Sequence, residues 1–211
     1  MYKLLISLAI IGNFALSAAA QSEEAKRVEV FAGYSLTRTN YKVERSLPTE
    51  PVVTFFNPKQ TLNGFNASAT GYLTNKIGLT GDFSAHFTTK RLTDPLGGNI
   101  NISVNLFNIV GGPQYKFRNK SRVTPFVRSL AGVAVTRGRL GLTRVAFSET
   151  TSATNFALML GGGLDVSIGK RFDLRLAQVD YNPIFLRRGN AFGFGQARAD
   201  NIRFSFGVVF K

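Results

Sequence analysis

The residues of this chain that could take part in acid–base or nucleophilic chemistry centre on one histidine. Ser84 and Asp82 precede His86 by two and four positions, on the same face of a predicted strand. A catalytic nucleophile, base and acid must be hydrogen-bonded in series. Residues two apart on a strand are separated by about 7 Å, which is too far for that contact. We therefore interpret His86 as a satisfied interior residue and predict no enzyme activity.

The residue types for metal or cofactor chemistry are also missing. The chain has no cysteine and one histidine, and its carboxylates do not cluster along the sequence. The usual zinc-binding sets therefore cannot be assembled. Gly161-Gly162-Gly163 lies within a predicted strand and opens no helix, so it is not a phosphate-binding loop. We expect no cofactor and no metal.

Charged side chains on otherwise small and polar strand faces form a second group. A charge in a low-dielectric interior must pair with an opposite charge, because leaving it alone is very costly. The simpler interpretation is a set of ion pairs that fixes packing; the alternative is a gate that exchanges partners and passes small ions. For Arg175 the alternation is ambiguous: counted from its nearest neighbours it predicts an inward side chain, and counted from residues further along the strand it predicts a lipid-facing one. The predicted inward-facing residues are Glu29, Asp82, His86, Arg128, Asp165, Asp180 and Arg203.

Eight segments with alternating apolar and polar residues must position these side chains. Each is long enough to cross a bilayer at a tilt, which takes about 9–11 residues. In the fourth segment the alternation changes phase at Leu106 and Phe107, which predicts a bulge there. The segments are 28–37, 65–73, 77–88, 102–117, 123–135, 156–168, 172–182 and 201–210.

The links between the segments alternate in length. Residues 74–76, 118–122 and 170–171 are short turns, whereas the other links are long: 38–60, 89–100, 136–153 and 183–200. Short turns at one end and long loops at the other are typical of outer-membrane barrels, with both chain termini on the short-turn side.

The composition of the two strand faces predicts which of them meets lipid. The polar faces are rich in Gly, Ser, Thr and Asn, which suits a narrow packed interior, so we place the apolar faces in lipid. A soluble, lipocalin-like barrel with the apolar face inward is the alternative. The predicted fold is all-β, an eight-stranded antiparallel up-and-down transmembrane β-barrel after a cleaved signal peptide. Side chains can fill the lumen of such a barrel, which argues against a general porin.

The N-terminus predicts export. Lys3 precedes a mostly apolar stretch, 4–16, and Ala18 and Ala20 form a cleavage site that leaves Gln21 as the first mature residue. The stretch is shorter than the roughly 20 residues of a membrane-spanning helix. We expect a signal peptide over 1–20 and a barrel domain over 21–211. The net charge of +14 suits nucleic acid or anionic lipid, and export argues against nucleic acid.

Four stretches carry a family resemblance: Gly112-Pro113-Gln114-Tyr115-Lys116-Phe117-Arg118, Thr124-Pro125-Phe126, Gln178-Val179-Asp180-Tyr181 and 203–210. In these stretches the chain resembles the small outer-membrane β-barrel family related to the transmembrane domain of outer membrane protein A. The resemblance implies a place in the outer membrane of a Gram-negative bacterium. It also implies recognition by the barrel-assembly machinery through the last strand, with Phe206, Gly207 and Phe210 as the assembly signal.

The long links contain the candidates for binding. Twelve Arg and Lys stand against five Asp and Glu in them, and the lipopolysaccharide of an outer leaflet is dense in phosphate, which arginine binds bidentately. Ordinary solvated charge is the alternative. Residues 51–56 and 191–195 are unusually apolar for loops, and we interpret them as strand extensions that pack on each other above the membrane. If they are exposed instead, adhesin-like contact with an extracellular ligand becomes the leading function. The lipopolysaccharide-contact candidates are Arg137, Arg139, Arg187 and Arg188.

The sequence thus predicts an integral outer-membrane barrel with a structural or surface-binding role. Its expected partners are outer-membrane lipid, lipopolysaccharide, the barrel-assembly machinery and an extracellular ligand. Three alternatives stay open. They are an adhesin-like binder acting through loops 38–60 and 183–200, a narrow ion channel, and a lipid A-modifying enzyme that depends on His86.

Overall fold

The computed structural model describes residues 28–40, 59–93, 99–142, 147–186 and 198–211. The predicted signal peptide, with Ala20 and Gln21 at its cleavage site, lies outside the described residues. No helix in the described part of the chain is long and apolar enough to cross a membrane. The strands are β1 Val28–Asn40, β2 Lys59–Tyr72, β3 Ile77–Thr93, β4 Asn99–Lys116, β5 Val123–Leu142, β6 Phe147–Ser167, β7 Phe172–Phe185 and β8 Arg198–Phe210.

The eight strands close into one antiparallel barrel. Each strand pairs with its neighbour in sequence, and β1 pairs with β8 to complete the ring. Short turns connect β2 to β3, β4 to β5 and β6 to β7 at the end that also holds Val28 and Lys211. This confirms the predicted eight-stranded up-and-down barrel.

The outer wall is apolar. Side chains alternate across each strand, and every strand has large apolar residues that face outward: Phe206 is 55% exposed and Leu160 is 49% exposed. A band of such residues surrounds the barrel, whereas the opposite faces bury polar and charged groups. An apolar band outside and polar groups inside is the pattern of a barrel that crosses a membrane.

Polar residues replace the apolar ones toward the long-loop end of the wall. On β3 the outward positions pass from Phe87 to Thr89, and on β4 they pass from Phe107 to Asn105, which faces Phe87 across the strand pair. The Phe87 and Phe107 rings pack edge to face with centroids 5.8 Å apart. Aromatic residues at this level are typical of a membrane–water interface.

Four strands continue past this level. β3, β4, β5 and β6 contain 17, 18, 20 and 21 residues, whereas the other four contain 13 or 14. The predicted loops 89–100 and 136–153 are therefore mostly strand, which corrects the sequence interpretation. In these stretches the backbone hydrogen bonds between strands continue, but the side chains lack the alternation of apolar and polar residues that a strand in lipid requires. β1 and β2 extend into the predicted loop 38–60, and β7 and β8 extend into the predicted loop 183–200. Residues 41–58 and 187–197 lie outside the described residues.

The bulge predicted at Leu106 and Phe107 is wrong. β4 pairs with β3 and β5 through these residues without a change of register. Leu106 is fully buried in the lumen, as is Val110, while Phe107 points outward. The change of phase in the sequence arises because apolar residues occupy inward positions of β4, not because a residue is inserted.

The barrel has its register shift in β7 instead. The pairing of β7 with β8 shifts between Arg175 and Gln178, and Leu176 and Ala177 between them are both exposed. Because β7 has one extra residue on the outer wall, Arg175 before it and Gln178 after it both face the lumen. This explains why the neighbours of Arg175 in the sequence predicted opposite faces for it.

Candidate functional site

Four charged side chains meet on the barrel axis. Arg203 binds Asp82 through two hydrogen bonds of 2.9 and 3.1 Å and also binds Asp180 at 3.0 Å. Arg128 binds Asp180 through two bonds of 2.9 Å and lies 3.0 Å from Asp82. All four are fully buried. These two arginines and two aspartates, which we call the central cluster, are neutral as a group and join β3, β5, β7 and β8.

Two amides complete the central cluster. Asn66 donates to Asp82 at 2.9 Å, and Gln178 donates to Asp180 at 2.8 Å. Asp180 therefore accepts hydrogen bonds from both arginines and one amide. Asp82 accepts from Arg203 and one amide and forms an ion pair with Arg128. These contacts offset the cost of removing the two carboxylates from water. With the central cluster in place, the middle of the lumen is filled by side chains.

A second charged group, which we call the lower cluster, lies nearer the short turns. Lys116 is 1% exposed, and its Nζ lies 2.7 Å from Glu29 and 2.9 Å from Asp165. Arg118 reaches Glu29 from the rim at 2.9 Å, and Tyr72 donates to the same carboxylate at 3.1 Å. The lower cluster therefore ties β1 to β4 and β6.

Arg175 seals the lumen between the two clusters. Its Nε donates to Asp165 at 2.7 Å, and its Nη1 donates to Gln178 at 2.7 Å. The guanidinium carbon lies 4.5 Å from the ring centroid of Phe31 and 4.1 Å from that of Phe126. A guanidinium held between two rings gains cation–π stabilisation on both faces.

The seven residues predicted to face the lumen all do so. Asp165, Asp180, Arg203 and His86 are 0% exposed, and Glu29, Asp82 and Arg128 are at most 4% exposed. The sequence interpretation missed the buried charged side chains Lys116 and Asp173, and it left the face of Arg175, which is also buried, open. Side-chain alternation along β4 places Lys116 inward, as it does Gln114. Because Lys116 is the last residue of the strand, the sequence analysis overlooked its inward position.

His86 bonds to a different serine from the one considered in the sequence. Its Nε2 lies 2.9 Å from the Ser35 hydroxyl of β1, which in turn lies 2.9 Å from the Ser205 hydroxyl. Ser84 instead accepts from Asn108 at 3.3 Å. The Nδ1 atom of His86 has no hydrogen-bond partner among the described residues, so no acid there orients the ring. His86 and Ser35 are both 0% exposed, deep in the lumen.

Apolar side chains cluster in the lumen toward the long-loop end. The buried cluster there draws residues from all strands except β1 and β3, with Val104 and Leu186 packed against it. The members of the apolar cluster are Leu62, Leu106, Val110, Leu130, Ala134, Ala157, Met159, Ile184 and Ala199. Buried polar side chains share this part of the lumen, among them Thr37, Thr39, Asn182 and Asn201, so apolar and polar groups together fill it.

Gly161 lets the central cluster approach β6 closely. A Cβ at this position would stand 2.3 Å from the Asp180 carboxylate and 2.3 Å from the Val179 carbonyl oxygen. Gly81, on the outer wall, has no atom within 4 Å of the same point. Close packing therefore requires a glycine at position 161, whereas position 81 has room for a larger side chain.

We expect Gly161→Ala to destabilise the protein by about 1–3 kcal/mol, as overpacking of a filled interior does. The matched change Gly81→Ala should be neutral or stabilise by up to about 1 kcal/mol, since alanine costs less entropy than glycine in a strand. Urea unfolding of both variants in lipid vesicles measures the difference. Equal effects of the two substitutions would show that the lumen at Gly161 is not packed.

The lipopolysaccharide candidates occupy the outer wall or lie beyond the described residues. Arg137 and Arg139 are on β5 at exposed outward positions rather than in a loop, and the Arg137 guanidinium lies 5.7 Å from the Phe107 ring centroid. Arg187 and Arg188 lie outside the described residues. So do the apolar segments 51–56 and 191–195.

The predicted assembly signal lies on β8 beside β1. Phe206 and Phe210 point outward, and the Phe206 ring packs on Tyr34 with centroids 5.6 Å apart. A Cβ at Gly207 would stand 2.3 Å from the Ala32 carbonyl oxygen, so the seam between β1 and β8 closes tightly there. The recognition of these residues during assembly stays a prediction.

The geometry defines a class of protein: an integral outer-membrane β-barrel of eight strands with a filled lumen. The family described as outer membrane protein beta-barrel domain matches residues 6–210. The chain belongs to this family. No curated protein sequence matches it.

Solved structures with the same fold include two small barrels. The attachment invasion locus protein Ail of Yersinia pestis, in complex with the heparin analogue sucrose octasulfate, is 15% identical with a TM-score of 0.56. Neisserial surface protein A is 15% identical with a TM-score of 0.51. Each comparison covers 87% of this chain and 96% of the other. At this identity the likeness shows the fold alone.

Proposed function

We propose that this protein is a closed, non-catalytic barrel that acts by binding at the outer surface. The observation that carries the proposal is the outward face of β3–β6 beyond Phe87 and Phe107. We call this face the outer polar face. In the part of the chain that the structure describes, this face has three arginines, several hydroxyl groups and no carboxylate. Its residues are Thr89, Arg91, Ser103, Asn105, Arg137, Arg139, Thr150, Ser152 and Thr154.

The pairing register of the strands places arginines of the outer polar face opposite polar side chains. Arg139 is opposite Ser103 on β4 and Thr150 on β6, and Arg137 is opposite Asn105. Side chains directly opposite on a sheet have Cβ atoms about 5 Å apart, so each arginine stands beside hydrogen-bonding neighbours. A phosphate that one arginine binds can therefore also accept from a hydroxyl or an amide.

The level of the outer polar face supports lipopolysaccharide phosphate as its first partner. The arginines follow directly after the last outward aromatic residues, where the hydrocarbon region ends. Phosphates of lipopolysaccharide lie just outside that region, and arginine binds phosphate bidentately. The proposal thus concerns anchoring at the surface, and the filled lumen argues against conduction as the role.

The experiment compares two variants with the same loss of charge. Arg91→Gln/Arg137→Gln/Arg139→Gln removes the arginines of the outer polar face, and Lys76→Gln/Lys120→Gln/Arg171→Gln removes three exposed cations at the short turns. We expect the first to weaken binding of lipopolysaccharide about tenfold, or about 1.4 kcal/mol, and the second to change it less than twofold. Calorimetric titration with intact and dephosphorylated lipopolysaccharide measures this. An equal affinity of wild type for both forms contradicts the proposal.

Adhesin-like binding is a second candidate, favoured by the length of β3–β6. These strands raise a paired sheet beyond the membrane interface, where an extracellular ligand can reach it. Ail has been crystallised with a sulfated sugar, and sulfate groups suit the same arginines as phosphate does. Sucrose octasulfate in place of lipopolysaccharide, titrated into the same two variants, distinguishes a ligand in solution from the lipid of the membrane.

A further inference from the structure

The short-turn end of the barrel contains a blind pocket of about 790 Å³ over the mouth of the lumen. Two turns that belong to different strand pairs form its walls, and the ends of β1 and β8 complete it. Backbone hydrogen bonds hold these parts together: Ser167 donates to the Arg122 carbonyl at 2.8 Å, and Lys211 donates to the Arg171 carbonyl at 3.0 Å. The pocket is thus built by the fold.

The pocket is strongly basic. Arg118, Arg122, Lys170 and Lys211 line it, and Glu29 is the one acidic side chain among the lining residues. Lys211 pairs with Asp173 of β7. Glu29 is already bound by Lys116 and Arg118 within the lower cluster. The pocket therefore presents a surplus of positive charge to the aqueous side.

Three of its cations keep binding capacity. Arg122 and Lys170 are exposed and make no ion pair with any residue that the structure describes. The Nε of Arg118 is buried with no hydrogen-bond partner among the described residues, while its Nη2 is held by Glu29. The Arg118 guanidinium also lies 4.7 Å from the Tyr72 ring centroid, which fixes its orientation. A preorganised donor beside two unpaired cations favours an anion.

The pocket ends blindly inside the barrel. Behind Glu29 lie Lys116 and Asp165, and then Arg175 between the rings of Phe31 and Phe126. An anion that enters from the short-turn side cannot pass this packing, so the pocket is suited to holding a ligand and not to passing one.

We propose that this pocket binds a small, water-soluble anion with several phosphate groups. Its volume is in the range of small-molecule sites, about 300–1,000 Å³, and exceeds what a single phosphate fills. Glu29 and Arg118 of the lower cluster form its inner wall, so the pocket faces the mouth of the lumen and the aqueous side. The compartment that supplies the ligand is the one on the short-turn side, the periplasm of a barrel with this orientation. This site is independent of the outer polar face.

The test titrates tripolyphosphate into the full mature chain in a neutral detergent at constant ionic strength. Arg122→Ala/Lys170→Ala removes the two unpaired cations, and Lys76→Ala/Lys120→Ala removes the same charge from turn positions that do not line the pocket. We expect the first variant to raise Kd at least tenfold and the second less than twofold. Similar losses in both variants, or no binding by the wild type, would overturn the proposal. A heat-dependent shift on SDS gels verifies that each variant is folded.

Bilayer discs with and without anionic phosphatidylglycerol identify the source of the phosphate. The electrostatic potential of the headgroups affects tripolyphosphate equally for wild type and for Arg122→Ala/Lys170→Ala. The quantity to compare is therefore the ratio of the Kd of the variant to that of wild type. A ratio that persists in anionic discs supports a soluble ligand. A ratio that falls to one only in the anionic discs shows that lipid headgroups fill the pocket, which overturns the soluble source.

Discussion

Replacing Arg203 with methionine should destabilise the barrel by about 3–5 kcal/mol, the usual cost of breaking a buried ion pair. The substitution leaves Asp82 and Asp180 with Arg128 as their one remaining cation in the central cluster. The net charge of the cluster then becomes −1 inside a packed lumen. Urea unfolding of the refolded protein in lipid vesicles measures the loss.

The control for this prediction is Arg198→Met. Arg198 lies on the same strand and pairs with Asp200 at 2.9 Å, but its side chain is 52% exposed. An exposed pair of this kind contributes no more than about 1 kcal/mol. Arg203→Met/Asp82→Asn should be more stable than Arg203→Met alone, because it restores a neutral cluster. If Arg203→Met cost no more than Arg198→Met, the central cluster would be accessible to water and the lumen not filled.

Leu160→Arg should destabilise the protein in a bilayer by about 2–4 kcal/mol, the cost of an arginine at the midplane of an outer-membrane barrel wall. Leu160 points outward from β6, with apolar outward neighbours from Phe156 to Ile168 along the strand. The guanidinium has no partner in hydrocarbon and must deform the bilayer to reach water. Equilibrium unfolding in phospholipid vesicles gives the value.

Thr154→Arg is the matched control for Leu160→Arg. Thr154 is six positions away on the same outward face of β6 and lies beyond Phe156, where the polar residues begin. An arginine near the interface costs about 0–1 kcal/mol. If both substitutions cost the same, the apolar wall does not lie in hydrocarbon, and a soluble barrel becomes the better interpretation.

The errors of the sequence analysis have physical causes that particular residues show. Leu106 and Val110 are apolar but face the lumen, because they belong to the apolar cluster in the barrel interior. Their inward position resembled a change of phase, so the predicted bulge fell on the wrong strand. Arg139 seemed to be in a loop because hairpins above the membrane keep their backbone pairing while both faces are in contact with water or protein.

The choice of partners in the lumen depends on closure of the barrel. Arg203 and Asp82 are 121 residues apart in sequence, Lys116 and Glu29 are 87 apart, and His86 and Ser35 are 51 apart. Alternation tells that each faces inward, but the tilt and stagger of the strands decide which of them meet. The bidentate geometry of the central cluster and the basic pocket at the short turns follow from that stagger.

The sequence by itself determined that eight strands cross a membrane and which face of each meets lipid. It could do so because side chains alternate with a period of two, a local property, and because lipid requires apolar residues at every outward position. Only the tertiary structure decided which charges pair, where β7 takes its extra residue and how the mouth at the short turns is built. Those features depend on distances between strands far apart in the chain, and no local pattern contains them.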